Sequence, residues 1–359
     1  MHPIERLLIY RFGQIGDTVA ALPSLWLLRS QFPGAHFTML SETLPGSGSS
    51  KLSPELVLPQ EGLIQTYLKY VGGRTPAAVF SQLATIFRLR RRQFDAIAYL
   101  TPSIRAEKQR NRDRLFFRLC GFDTMVGFHG FPKDPFPRLI TGSLESVTHE
   151  ADALLHRLAL DGLPQIAPGE GRMDMAITDG ERDRVNQWWE QEKPKSGAWF
   201  AVCCGSKWSS KKWPEHRYFE VVRQVIEQYD LTPVVFGGGD EREAGLRLIS
   251  KWRRGVCAAG ELTIRESAAL LQKARFYLGN DTGVMHLATA AGCPCVAIFS
   301  SLDWPGRWSP YGGGHEVLRH DVPCGGCLLQ TCPHNNECLT GTTLNEVLEA
   351  CRRVLRKPR

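Results

Sequence analysis

The residues Gly279-Asn280-Asp281-Thr282-Gly283-Val284-Met285-His286-Leu287 lie between two apolar runs and place short polar side chains and a glycine where a strand turns into a helix. A helix start leaves backbone N–H groups unpaired and carries roughly half a positive charge, and Gly283 lets an anionic ligand approach the main chain. The flanking runs, Arg275-Phe276-Tyr277-Leu278 and Cys295-Val296-Ala297-Ile298-Phe299, predict neighbouring parallel strands joined by that helix. A ligand held there lies at the carboxyl edge of a sheet. Simple capping of the helix by Asp281 and Thr282 fits the same residues, so both readings stand at this point.

The same succession recurs along the chain. Leu7-Leu8-Ile9-Tyr10 passes through Arg11-Phe12-Gly13-Gln14-Ile15-Gly16-Asp17 into an apolar helix predicted to run to about Gln31, although Pro23 is comfortable only in a first turn. Pro33-Gly34 closes it, and strands are predicted over 35–40, 94–100 and 125–128. Breakers over 163–171, a polar helix over 181–192 and a second breaker, Lys193-Pro194-Lys195-Ser196-Gly197, separate this half from the next. There the strand 199–204 leads through a polar loop, Gly205 to Pro214, into a helix over 215–229, and the strand 232–236 opens into Gly237-Gly238-Gly239-Asp240-Glu241. The expectation is an α/β protein of two Rossmann-like domains, 1–165 and 195–341, facing each other across a cleft, with a helix in 342–359. A dehydrogenase would share this grammar, but the fingerprint Gly-x-Gly-x-x-Gly is missing after both first strands, which counts against NAD.

At 359 residues the chain is too long for one ordinary core. No apolar run reaches the roughly 18–20 residues of a membrane-spanning helix, and Met1-His2-Pro3-Ile4-Glu5-Arg6 lacks a secretory apolar stretch, so a cytoplasmic location is expected. In that setting the 11 cysteines stay reduced or bind metal rather than pair. The net charge of +7 is uneven: Arg88, Arg90, Arg91, Arg92, Arg105, Lys108, Arg110, Arg112, Arg114 and Arg118 are offset locally by only Asp95, Glu107 and Asp113. Such a surface attracts phosphates on lipid, sugar or nucleic acid, and a solvated helix face with local ion pairs is the plainer alternative.

Three motifs now carry a resemblance: the Arg11–Pro23 block with Ile15-Gly16-Asp17, the Lys211-Lys212-Trp213-Pro214 loop, and Asn280-Asp281-Thr282-Gly283-Val284-Met285-His286-Leu287-Ala288. In this order, spread over nearly the whole chain and followed by Trp304-Pro305-Gly306-Arg307-Trp308-Ser309-Pro310-Tyr311-Gly312, they resemble glycosyltransferase family 9, the lipopolysaccharide heptosyltransferases. The resemblance implies a GT-B fold with an N-terminal acceptor-binding domain, a C-terminal donor-binding domain and a last helix, 343–356, packed back on the first domain. It also implies an inverting transfer of heptose from ADP-heptose to a phosphorylated lipopolysaccharide inner-core acceptor. The enzyme would then make peripheral contact with the inner face of the cytoplasmic membrane through the segment 88–118.

Sugar transfer from a nucleoside diphosphate needs a base for the acceptor hydroxyl and positive charge for the departing diphosphate. Asp17 matches the family's base, and an N-cap role is its structural alternative. Lys211 matches the phosphate-binding lysine, a compact charge suited to a moving phosphate. Ser206 and Lys207 lie on the same loop, with Lys207 where the family often has Ser or Thr. Thr282 and Gly283 offer backbone donors, Asp281 can orient Lys211 or the sugar, and His286 is a ligand contact or a buried structural histidine. Asp240 or Glu241 falls where the family contacts the nucleoside ribose. Gly16, Arg105, Lys108 and Lys212 are the candidate acceptor contacts. No Asp-x-Asp motif is present, so no obligatory metal cofactor is expected.

Separately, Cys324-x2-Cys327-x4-Cys332-x5-Cys338 brings four thiols together in a Gly/Pro-rich loop, a spacing that can build a structural S4 site for Zn or Fe. Disulfides and free thiols are the alternatives. Two other functions remain open on sequence alone: a nucleotide-sugar epimerase of similar fold, and a non-enzymatic nucleic-acid-binding protein with a four-Cys metal site. The arginines have few interleaved aromatics and no recognised binding motif, so no nucleic acid is expected as partner.

Overall fold

Leu7, Leu8, Ile9 and Tyr10 are all buried, as befits a strand covered on both faces. The structure, a computed structural model, describes residues 4–43, 53–59, 61–73, 75–137, 143–192 and 197–357. The chain divides into two units, Met1–Pro135 with Glu150–Ala176 and Phe136–His149 with Ile177–Arg359. The breaker at 193–196 lies outside the described residues. The short segment 136–149 belongs with the second unit, a detour that the linear pattern of breakers does not signal.

In the first unit the elements are β1 (Arg6–Tyr10), α1 (Ile15–Ala20), α2 (Leu22–Gln31), β2 (His36–Thr43), β3 (Thr66–Val71), α3 (Pro76–Arg91), β4 (Ala96–Tyr99), α4 (Glu107–Leu119), β5 (Thr124–Val126) and α5 (Glu150–Leu160). The sheet order is β3-β2-β1-β4-β5, with every pairing parallel. The single helix predicted to reach Gln31 is instead two, broken at Ala21 so that Pro23 falls within the first turn of α2. That placement spares the backbone hydrogen bond a mid-helix proline would remove. One side of the sheet is an aromatic core of Tyr10, Tyr99, Phe117, Phe122 and Phe128, with Tyr99 and Phe128 stacked at 4.0 Å between ring centres.

The second unit contains α6 (Asp179–Glu192), β6 (Trp199–Cys203), α7 (Glu215–Tyr229), β7 (Thr232–Val235), α8 (Arg242–Trp252), β8 (Val256–Cys257), α9 (Ile264–Leu271), β9 (Tyr277–Asn280), α10 (Gly283–Ala290), β10 (Cys295–Phe299), β11 (Glu316–Arg319), α11 (Glu337–Thr340) and α12 (Leu344–Arg356). Its parallel sheet runs β11-β10-β9-β6-β7-β8. As predicted, β9 and β10 are neighbours joined by α10. A buried bidentate pair, Arg265 to Glu181 at 2.6 and 3.0 Å, ties α6 to α9.

Helix α12 packs on the second sheet. Its apolar face, Val347, Leu348, Cys351 and Val354, joins Phe200, Val202, Val221 and Ile298 in the second unit's own core, against α7, β10 and β11. Burying such side chains is worth about 1.5–3 kcal/mol each, which fixes the helix on this sheet.

Candidate functional site

Three adjacent strands, β9, β6 and β7, deliver their carboxyl ends to one edge of the second sheet. From there run the segments 281–283, 204–214 and 236–241. Asn280 at the end of β9 fastens two of them. It is fully buried, accepts from Trp213 N (3.1 Å) and Tyr218 OH (2.8 Å), and donates to Cys204 O (2.8 Å) and Gly205 O (3.2 Å). The amide thus uses both its donors and its acceptor to hold the 204–213 loop against the strand end.

That tether brings Lys211 to Asp281. Lys211 sits on a 3-10 turn, Ser209–Lys211, and its ammonium donates to Asp281 Oδ2 at 2.5 Å, beside the Trp208 ring. Asp281 Oδ1 lies 3.9 Å from His286 Nε2. Burial lowers the His286 pKa from 6.5 to about 4, Asp281 opposing the shift and His149 and Lys211 adding to it, so the ring is neutral near pH 7. Trp308 meets the His286 ring edge to face at 6.2 Å, and Asp303 holds Trp308 in place by accepting its indole N–H at 3.0 Å. The 304–312 segment, identified in sequence by resemblance alone, therefore reaches this site.

Of the two readings of the 279–287 junction, capping is not what Asp281 does. Thr282 is the N-cap by backbone geometry, and its hydroxyl lies 3.4 Å from Tyr277 OH, while Asp281 turns to Lys211. Gly283 opens α10.

Glu241 occupies the neighbouring loop. Its Oε2 accepts from Gly238 N at 3.0 Å, and desolvation pushes its carboxyl above the usual range against the pull of that N–H. A Cβ on Gly205 would come within 1.6 Å of Glu241 Oε1, so the carboxylate rests where only glycine leaves room. Asp240, Lys207 and Lys212 are exposed, and Lys212 is near enough to Glu241 to favour its charge. Ser206 accepts from Trp208 N at 3.3 Å within the loop.

In the first unit Asp17 is not the N-cap. Gln14 is, and Asp17 stands three residues on with Oδ2 accepting from Gln14 N at 2.8 Å. A Cβ on Gly13, whose φ is 145°, would lie 2.4 Å from Asp17 Cβ, so this glycine is required for both backbone and space. Arg11, fully buried, donates to Asp17 O and to Leu100 O and approaches Asp17 Oδ1 to 3.6 Å. Behind it lie Glu150, accepting from Ser103 N at 2.9 Å, and Arg157, donating to Thr101 O at 2.6 Å. Burial raises the Glu150 carboxyl, with Arg157 and Arg11 pulling it down, and lowers Arg157 to about 10. This buried Arg11–Glu150–Arg157 group was missed in sequence because its members are scattered over about 150 residues without a local signature.

Gly16 is buried in α1, and Lys108 is exposed on α4. Arg105 points inward: only 10% exposed, it pairs with Asp113 at 2.6 Å and lies over the Phe12 ring. Its charge is already matched, which local sequence charge counting did not resolve.

The structure lends the metal reading of the four-cysteine loop no support. Cys324, Cys327, Cys332 and Cys338 are free thiols, and among the described residues no group of three His, Cys, Asp or Glu side chains is gathered to hold an ion. Cys332 instead accepts from His334 N, and Cys338 packs against the core from α11.

The model of glycosyltransferase family 9 (heptosyltransferase) matches residues 162–337. Lipopolysaccharide heptosyltransferase 1 of Pseudomonas aeruginosa is 31% identical over 130 residues, 36% of this chain and 36% of that protein. The alignments thus span little more than a third of the length of such relatives. A glycosyltransferase family 9 structure from Veillonella parvula superposes with a TM-score of 0.73 at 18% identity, covering 99% of this chain and 98% of that one. The E. coli heptosyltransferase WaaC, solved with ADP, gives a TM-score of 0.63 at 17% identity, covering 97% and 99%. The two parallel α/β sheets are those of the GT-B fold expected from the sequence. The family model lies on the loops that carry Lys211, Glu241 and Asp281, so it is the second unit of this chain that is similar to glycosyltransferase family 9.

Proposed function

We propose that the protein is an inverting glycosyltransferase that moves a heptose from ADP-heptose to a phosphorylated lipopolysaccharide inner-core acceptor. The observation that carries this reading is the Lys211–Asp281 pair at the carboxyl edge of β9, next to the start of α10. A buried-edge ammonium held by a carboxylate, together with the N–H groups opening a helix, suits a diphosphate that gains charge as it leaves. ADP bound to the E. coli relative supports the choice of nucleotide.

The acceptor hydroxyl oxygen attacks the anomeric carbon, the bond from that carbon to the diphosphate oxygen breaks, Asp17 takes the hydroxyl proton and ADP departs. Lys211 and the α10 N-terminus stabilise the leaving diphosphate. Thr282 and Gly283 supply backbone donors, and Ser206 and Lys207 border the same loop. Glu241, with Asp240, accepts from the ribose hydroxyls. His286, neutral, packs beside Asp281 and keeps it directed at Lys211. Gly13 and the buried Arg11 hold Asp17 in position, and Gly16, Lys108 and Lys212 contact the acceptor, with Arg105 ordering α4 through Asp113. Because the acceptor is a lipid, the reading includes peripheral contact with the inner face of the cytoplasmic membrane.

A thermal-shift panel of ADP, UDP, GDP and their sugars tests the donor, since a ligand raises the melting point only by binding the native site. ADP and ADP-heptose should stabilise the protein most. Stabilisation by UDP-sugars alone would point to epimerase chemistry instead.

A further inference from the structure

Helix α3 is turned outward in an unusual way. Its buried side is narrow, consisting of Ala78, Thr85 and Leu89, while Val79, Phe80, Leu83 and Phe87 are 48, 75, 60 and 64% exposed. Placed at i, i+1, i+4 and i+8, these four lie on one face, opposite the buried side. Soluble surfaces seldom leave such contiguous apolar area in water without a partner. Arg88, Arg90 and Arg91 fill its last turn, Arg92 follows, and the Arg91 guanidinium lies 5.3 Å from the Phe87 ring centre. The helix itself carries no Asp or Glu. Helix α4, in contact with α3, exposes Leu115 and Leu119 among Lys108, Arg112 and Arg118.

We propose that α3 is a membrane-docking helix: its apolar stripe inserts among the lipids of an anionic bilayer while the arginines at its carboxyl end hold the headgroups. This deepens the peripheral contact in the functional reading above by naming the element that makes it, and it adds apolar insertion to a charge-only view of the 88–118 segment. At 16 residues the helix is about 24 Å long, short of the roughly 30 Å of a hydrocarbon core, so it lies in the interface rather than across it. Two copies of this chain meeting through the same face with parallel helices would bring their arginine clusters together, and in either pairing no acid on the helix neutralises them. An anionic bilayer supplies that charge.

The test is co-sedimentation of the full chain with vesicles of phosphatidylcholine alone and of phosphatidylcholine with phosphatidylglycerol, without nucleotide or lipopolysaccharide. The protein should bind the anionic vesicles and be released by salt, and Phe80→Ser with Phe87→Ser should weaken partitioning by about tenfold or more while melting stays near wild type. Leu83→Gln alone serves if the double variant does not fold. No binding to anionic vesicles, equal binding to neutral ones, or binding indifferent to these substitutions would overturn the proposal. So would a concentration-dependent dimer that the same substitutions abolish, which would assign the face to a second copy. ADP binding, measured separately on the same preparations, depends on the second unit and decides the functional reading independently of this outcome.

Discussion

Lys211 and Asp281 are 70 positions apart, and each was visible in the sequence as part of a motif, but whether Asp281 orients Lys211 or the sugar was left open there. A motif fixes residue type and local turn, and only the sheet order, with β6 beside β9, brings the two loops together. Lys211→Ala should weaken ADP binding by about 1.5–3 kcal/mol, the scale of charge-assisted hydrogen bonds, when followed by calorimetry. It should also lower the melting temperature, because Asp281, 9% exposed, is left without its cation. His286 gives a pH signature at the same site. Its folded pKa of about 4 lies below its ordinary 6.5, so the unfolded chain takes up the proton first. Its contribution to stability is complete above about pH 6.5 and is lost as pH falls toward 4, by up to about 3 kcal/mol. Urea unfolding across this window should show that slope, and His286→Gln should flatten it. An unchanged slope in the variant would assign the acid limb to other groups.

At the scale of elements, the strands with apolar runs were legible: β6, β7 and β10 are buried throughout and β1 from Leu7 on, and parallel sheets covered on both faces read that way. Strand β3 was not, since Thr66–Val71 is a partly exposed edge with little apolar pattern. Helix α3 escaped because its apolar residues face outward, so periodicity alone would have reversed its orientation. The four cysteines show the converse: spacing proposed a tetrahedral site, but among the described residues no three metal-ligating side chains are gathered there, and Cys332 accepts from His334 N. Asn280 joins strand to loop through three hydrogen bonds and to Tyr218 of α7 through a fourth, which no spacing rule would single out. Asn280→Ala should therefore destabilise the protein by about 2–4 kcal/mol, since it strands buried donors and acceptors. It should also loosen the 204–213 loop and weaken ADP binding. A melting temperature within a degree or so of wild type would show that the tether is dispensable.

For the whole molecule, the proposed reaction falls on two units, with Lys211, Glu241 and Asp281 of the second proposed to hold the donor and Asp17 of the first proposed as the base. The sequence supplied this division through its repeated strand, glycine loop and helix, but not the detour of residues 136–149 into the second unit. The most direct test is Asp17→Asn, assayed for heptose transfer from ADP-heptose alongside donor affinity and melting temperature. Asparagine keeps the shape and can still accept from Gln14 N, so folding and donor binding should change little. Transfer should fall by roughly 10²–10⁴-fold, the usual worth of a positioned general base. Near-normal transfer by a well-folded, donor-binding Asp17→Asn protein would contradict the account.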